Sequence, residues 1–353
     1  MTADIARNRQ KLTDLFAGPF PGHAITFGYP MATRPDVADL AVSDLPLRDW
    51  LPWGEENFAR MSAQQAALGD DTVPTASLWT GTELFAAAFG CPVHLYDDAM
   101  PPAAQPLVRT AAEADALPEP TLDVRPLARV FEFATLLRER LGPDVPIGVP
   151  DFQSPFDIAA LIWRKEDLFV ALLEEPDAVR RLVDKCHRLL KSFYTAYIGA
   201  FPTVNLCHCP TAWAPPELGV WLSEDEAGSL STPIFEEFCL PSLVDLSDTF
   251  GGLFMHCCAT ADHQYASFRR IPRLRGLNRV FQTPGPRPAI DTFSGHSVLI
   301  MAWHSEEEIY QMLRWAHPDT RFLFNPNAPA TLDETKALLD RLRAACDAGV
   351  TTG

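Results

Sequence analysis

Two spacings of apolar residues alternate along most of this chain. From Asp177 onward Val179, Leu182, Val183, Cys186, Leu189, Leu190 and Phe193 recur with a helical period, which predicts one long helix over Pro176–Ala200 with an apolar stripe. The same period predicts helices over residues 82–89, 127–141 and 331–345, the last with Leu332, Leu338, Leu339 and Leu342 on one side. Ser154-Pro155-Phe156-Asp157 opens another, with Ser as N-cap, Pro at the first helical position and Asp near the positive end of the dipole. Short apolar runs bounded by loops read as strands at 72–78, 92–96, 145–149, 203–206, 252–255, 274–280, 298–302 and 321–324. Strands alternating with helices predict parallel βαβ units, and about eight of them favour a closed (β/α)8 TIM barrel over an open doubly wound sheet. No Gly-rich dinucleotide or phosphate fingerprint follows any strand, which agrees with that choice. Residues 1–68 mix helical pattern with Pro-rich loop. They read as an N-terminal helical and loop extension packed on a barrel of residues 69–353.

Composition narrows the partners. Of the 353 residues 47% are hydrophobic, enough for a sizeable core, and 29 basic against 46 acidic residues leave a net charge of −17. Such a chain has no electrostatic reason to hold a phosphate backbone or an anionic membrane, so no nucleic acid and no membrane partner is expected. The stretch Met1-Thr2-Ala3-Asp4-Ile5-Ala6-Arg7-Asn8-Arg9-Gln10 lacks the apolar region of a signal peptide, and no apolar run reaches the length of a bilayer span. The expectation is a soluble, cytoplasmic protein, whose 8 cysteines are thiols or ligands rather than a disulfide framework.

In a barrel, function collects at the C-terminal ends of the strands. Those ends carry Cys207-His208-Cys209, His256-Cys257-Cys258, Trp303-His304 and Asn325-Pro326-Asn327. Thiolate and imidazole groups converging from separate strands are the donors a catalytic zinc ion needs. Residues i and i+2 of a strand point to one side, which pairs His256 with Cys258 and directs Cys257 into the surrounding packing. Cys207-His208-Cys209, taken alone, reads as packing as readily as ligation.

A family resemblance follows from these residues. Leu230-Ser231-Thr232-Pro233, Phe235-Glu236-Glu237-Phe238 and Leu240-Pro241, ahead of a strand ending in His256-Cys257-Cys258, resemble the uroporphyrinogen decarboxylase superfamily. Gly81-Thr82, Ala86-Ala87-Ala88-Phe89-Gly90-Cys91-Pro92-Val93, Ser154-Pro155-Phe156-Asp157 and Glu175-Pro176-Asp177 agree, so the similarity runs from about Gly69 to the C-terminus. The true decarboxylase has an N-terminal Met-Arg-Gln-Ala-Gly-Arg segment, where this chain reads Thr26-Phe27-Gly28-Tyr29-Pro30-Met31-Ala32-Thr33. The resemblance is therefore closer to the zinc-dependent methylcobamide:thiol methyltransferases of the coenzyme M type.

That branch implies a Zn2+ cofactor, a methylcobamide or other corrinoid donor, a small-molecule thiol acceptor and a corrinoid protein as partner. Its metal set is the His and Cys of His-x-Cys with a distant Cys on the last strand. His256 and Cys258 match the first two, but the final strand reads Phe324-Asn325-Pro326-Asn327 and supplies no thiol. Cys207 or Cys209, His304 and Asn325 are the candidates for the third ligand, with Cys207 and His304 ranked above the neutral amide oxygen. Asp225, on the loop after the Cys207 run, is a candidate for orienting a ligand or holding a substrate cation, or else a surface acid ahead of a helix. Trp213, Asp157 and Trp303 are candidates for substrate binding, with Trp221 a further candidate for the pocket wall. Asp157 reads more readily as a helix N-terminal charge than as a catalytic group. Two other functions stay open: a metal-free lyase or decarboxylase of a small carboxylate, and a non-catalytic relative that binds a corrinoid or other ligand.

Overall fold

Strands that are buried on both faces need apolar residues at every position, and the chain supplies five such runs in its second half. A computed structural model of the protein describes residues 3–20, 22–96, 100–210, 212–281 and 284–350. Its strands are β1 (Ala24–Ile25), β2 (Val93–His94), β3 (Ala103–Ala104), β4 (Val220–Ser223), β5 (Leu253–Cys257), β6 (Leu274–Arg279), β7 (Val298–Ala302) and β8 (Arg321–Asn325). Six of them form one parallel sheet in the order β1-β8-β7-β6-β5-β4. Every residue of β4, β5 and β7 is buried, as strands covered on both faces require.

The two ends of this sheet are joined through segments that carry only isolated bridges. Ile25 O accepts from Asp71 N at 2.9 Å, Ala76 bridges to Ile147, and Gln153 bridges to Ser223 of β4. The circuit closes, and the fold is a (β/α)8 barrel. Ala24, Val73, Trp221, Phe254, Ile300 and Leu323 point inward and pack with Leu12, Leu15 and Phe16 of the helix Ala3–Ala17. The ring of Phe254 stacks on Trp221 at 5.5 Å and meets Phe16 edge-on at 5.0 Å. Met255 and Cys257, of opposite parity, belong instead to the outer core beneath the helices.

The helix Pro176–Ala200 forms with the expected bounds and buries the expected stripe. Two of its tyrosines fasten it to the barrel: Tyr194 Oη donates to Trp221 O at 2.5 Å and Tyr197 Oη to Gly148 O at 2.9 Å. Among the described residues no helix is long and apolar enough to cross a membrane.

Three strand expectations are corrected. The run 92–96 is not a stave: Val93–His94 pairs antiparallel with Ala103–Ala104 in a separate two-stranded sheet. The run 203–206 makes a single bridge, Val204 to Ile147, and the strand that joins β5 is β4, which the apolar pattern did not single out. The cause is visible at Asn205, whose Nδ2 donates to Thr75 Oγ1 and Ala212 O and turns the chain inward. Cys207, Ala212, Trp213 and Ala214 then fill the barrel interior. The third correction is β1, two residues long and too short for any periodicity, which lies within the expected extension and pairs with β8.

β4 and β5 begin against each other, and this requires glycine. Gly219 has φ of 131°, and a Cβ there would lie 2.1 Å from Gly252 O. Gly219→Ala should therefore cost about 2 to 5 kcal/mol, strain and overlap together, read as a fall in the urea midpoint. Gly199→Ala, in the last turn of the long helix with open space around it, should instead be neutral or stabilising by up to about 1 kcal/mol.

Candidate metal centre

The alternation along β5 decides which of its side chains face the barrel mouth. Phe254 points inward, so His256 does too, and it is 2% exposed. Cys257 faces the outer core with its Sγ 3.6 Å from Ala259 O, the packing position expected for it. Cys258 follows immediately and is exposed.

The imidazole is fixed by β6. Asn278 is the register partner of His256 and shares the inward parity of Gly276. Its Nδ2 donates to Ile300 O at 2.7 Å, which turns its Oδ1 toward His256 Nδ1 at 2.5 Å. An amide oxygen can only accept, so Nδ1 carries the proton and Nε2 keeps its lone pair. That Nε2 lies 2.9 Å from Cys258 Sγ and 3.9 Å from Cys209 Sγ.

Asp225 completes the group from the turn after β4. Its Oδ1 accepts from Cys258 N at 2.5 Å. The turn is held in place by Asp157, whose Oδ2 accepts from Asp225 N at 2.6 Å and whose Oδ1 accepts from Glu226 N at 3.0 Å. Asp157 sits in the first turn of the helix Pro155–Ile162, where its own N–H donates to the Ser154 cap at 3.0 Å. It is buried at the N-terminal turn of that helix, accepts from two backbone N–H groups and is not part of the wall of the cavity described below. Burial, then the charges of Glu224 and Asp225, raise its pKa.

Among the described residues, Asp225, His256 and Cys258 each offer one donor atom within 4.8 Å of the others. Cys207 is not one of them. It is buried in the barrel interior, and the sulfur that faces His256 from that segment belongs to Cys209. His304 also stays outside the group, with Nδ1 3.7 Å from Glu308 Oε2. Asn325 reaches Thr26 instead, donating from Nδ2 to its O and Oγ1 at 3.2 and 3.3 Å.

Beside Cys209 a cavity of about 260 Å³ opens, bounded by Tyr29, Trp213, Trp303 and Asn325 among others. Trp221 is stacked inside the barrel and takes no part in its wall. Trp303 is 52% exposed and holds φ of 63°, a costly conformation for a bulky residue. It is kept there by Trp303 N donating to Asn325 O at 2.8 Å and Asn327 Nδ2 donating to Trp303 O at 2.9 Å.

Residues 75–215 match the family model described as uroporphyrinogen decarboxylase (URO-D). That stretch of the chain is similar to the uroporphyrinogen decarboxylase family. No curated protein sequence matches it. Among solved structures a methyltransferase from Methanosarcina mazei is similar in fold, with a TM-score of 0.63 at 16% identity over 97% of this chain and 98% of that one. The homocysteine methyltransferase MmuM from Escherichia coli, in its apo form, aligns over 48% of this chain and 87% of that chain at 12% identity and a TM-score of 0.23, too loose a likeness to argue from.

In this barrel the donor set fits a zinc ion. It combines nitrogen, sulfur and carboxylate oxygen, the ligand types zinc accepts. The charge balance fits as well. Partial burial, then the carboxylate of Asp225 and further acids at Asp151 and Asp157, push the Cys258 thiol up to about 12. Burial and the same acidic surroundings also raise Cys209. A divalent cation here would be met by acids and thiols already gathered around it.

The sequence reading passed over Asn278, although a polar residue inside the apolar run 274–280 at inward parity was a usable signal. It also passed over Glu224, buried behind Asp157, because nothing local distinguishes it from its acidic neighbours.

Metal-free protein should alkylate slowly at Cys258 near pH 7, with the rate still rising toward pH 12. Asp225→Asn should lower that midpoint by roughly one unit, because it removes a carboxylate charge from beside the thiol. Peptide mapping after iodoacetamide treatment across pH measures both; a wild-type midpoint at or below that of a free cysteine contradicts the assignment.

Proposed function

We propose that this barrel is a zinc-dependent methyltransferase that moves a methyl group from a methylated corrinoid to a small thiol. The observation that carries the proposal is the imidazole of His256. It is locked by Asn278 with Nε2 free, beside Cys258 and Asp225, at the strand end where barrels place their chemistry. When bound, zinc supplies the positive charge that keeps a thiol deprotonated near neutral pH.

His256, Cys258 and Asp225 would hold the ion. Asn278 keeps the imidazole in the tautomer that can ligate, and Asp157 holds the turn from which Asp225 reaches the site. Trp303 and Trp213 form walls that orient the acceptor. The acceptor loses its proton to solvent at the open mouth. Its sulfur lone pair would form the new bond to the methyl carbon, and a corrinoid donor would keep the electron pair of the carbon–cobalt bond. Placing sulfur and methyl group in line is what the walls contribute to rate. The acceptor is a small molecule, and the donor is carried by a corrinoid protein docked over the mouth.

Purified protein should hold zinc near one ion per chain by elemental analysis, and His256→Ala and Cys258→Ala should abolish it. Asn278→Ala should keep the fold yet weaken zinc about 10 to 100-fold in a chelator competition, because the histidine loses its orienting partner. Wild-type protein that takes up no zinc under reducing conditions would sink the proposal, and would leave the metal-free lyase or the ligand-binding relative standing.

A further inference from the structure

We infer that the acceptor of this barrel carries no anionic group: it is a thiol on an aromatic or alkyl body, not a mercaptosulfonate or mercaptocarboxylate. The thiol in this statement rests on the methyl-transfer proposal, whereas the charge preference rests on the cavity wall alone.

The cavity of about 260 Å³ reaches Cys209, whose sulfur is 3.9 Å from His256 Nε2, so an occupant lies next to the candidate metal centre. Among the described residues that line it there is no Lys, Arg, Asp or Glu. The one imidazole in the wall, His208, turns its Nδ1 toward Asp151, so it brings no unmatched positive charge to the wall. Much of the wall is flat rings and thioethers, including Phe27, Tyr29, Trp213, Trp303 and Met61, and its other polar side chains, Thr26, Thr72 and Asn325, are neutral. Such surfaces hold an apolar body well and give an anion no opposite charge.

What lies behind the wall is acidic. Asp151 Oδ1 is 3.7 Å from His208 Nδ1, and Asp225 stands at the metal centre beyond Cys209. Two guanidiniums lie near this cavity without lining it: Arg9, 5.6 Å from the Trp213 ring centre with its Nη2 donating to Asp144 O, and Arg60, whose Nη1 donates to Met31 O at 3.3 Å and which pairs with Glu56. A sulfonate or carboxylate entering here would lose water and meet no donor of opposite charge, an uncompensated burial that disfavours it by about thirtyfold or more.

The test uses thiol-free probes on metal-free protein, so that metal binding does not enter. Benzyl alcohol and benzoate are titrated while tryptophan fluorescence is followed. Benzyl alcohol should bind saturably, with a Kd about thirtyfold or more below that of benzoate. Trp303→Leu, at a half-exposed position, should remove part of the signal. Met31→Arg, on the outer rim of the cavity, should raise benzoate affinity about tenfold by supplying the missing charge. Benzoate binding as tightly as benzyl alcohol, or no saturable binding of benzyl alcohol, overturns the inference. Methylcobalamin turnover with benzyl mercaptan and with 2-mercaptoethanesulfonate then separates the two claims. Loss of all turnover with the probe preference intact removes the methyl-transfer reading only. Turnover that prefers the sulfonate removes this one.

Discussion

The hydrogen bond from His256 Nδ1 to Asn278 Oδ1 exists only because β5 and β6 run in one register. Phe254 lies against Gly276 and His256 against Asn278, so the polar pair sits one layer above a tight apolar one. A Cβ at Gly276 would come within 2.9 Å of the Phe254 ring and 3.0 Å of Ile300, so close packing below fixes the position of the pair above. A slip of one residue would turn His256 into the outer core and Cys257 toward the mouth. The donor set therefore inherits its precision from the barrel interior, from Phe16, Trp221 and Phe254, rather than from the loop that displays it.

Around that fixed imidazole the protein gathers carboxyl groups. Asp157 on the helix Pro155–Ile162 meets the turn that carries Glu224 and Asp225, and burial, then neighbouring acids, raises Asp157 and brings Glu224 to about 8. Two backbone N–H groups on Asp157 and one on Asp225 offset part of that cost. A cation at the donor atoms would offset more, which is how an acidic site becomes favourable once a metal is present. The acids also explain why Cys258, although exposed, is a poor nucleophile in the metal-free protein.

Much of this was legible from residue patterns. Long periodic segments, such as Pro176–Ala200, and doubly buried strands, such as Val298–Ala302, declare themselves because their burial is uniform. The pairing of His256 with Cys258 followed from strand parity, and the family resemblance from the Phe235–Cys258 passage. What escaped was set by tertiary contacts. Two residues at Ala24–Ile25 become a stave because β8 offers its edge, and 203–206 leaves the sheet because Asn205 finds Thr75 across 130 positions of chain. Cys209 rather than Cys207 faces the histidine because the segment turns inward after Leu206, which no local pattern records. The match to the family model ends at residue 215, before the His-x-Cys strand, so the site itself had to be argued from geometry.

The absent thiol on the last strand then has a physical answer within the proposed reading. A set of one histidine and two thiolates carries two negative charges, and so does one histidine with the Cys258 thiolate and the Asp225 carboxylate. Asp225 thus replaces the missing cysteine charge for charge, from the strand on the other side of His256. A carboxylate is a harder donor than a thiolate and leaves zinc more positive toward an incoming sulfur. The end of β8, freed from ligation, serves the wall instead: Asn325 fastens Thr26 and props Trp303 in its strained conformation at the rim. Within that reading, a third donor on the Asp225 turn would leave the end of β8 free to line the cavity beside the candidate metal centre.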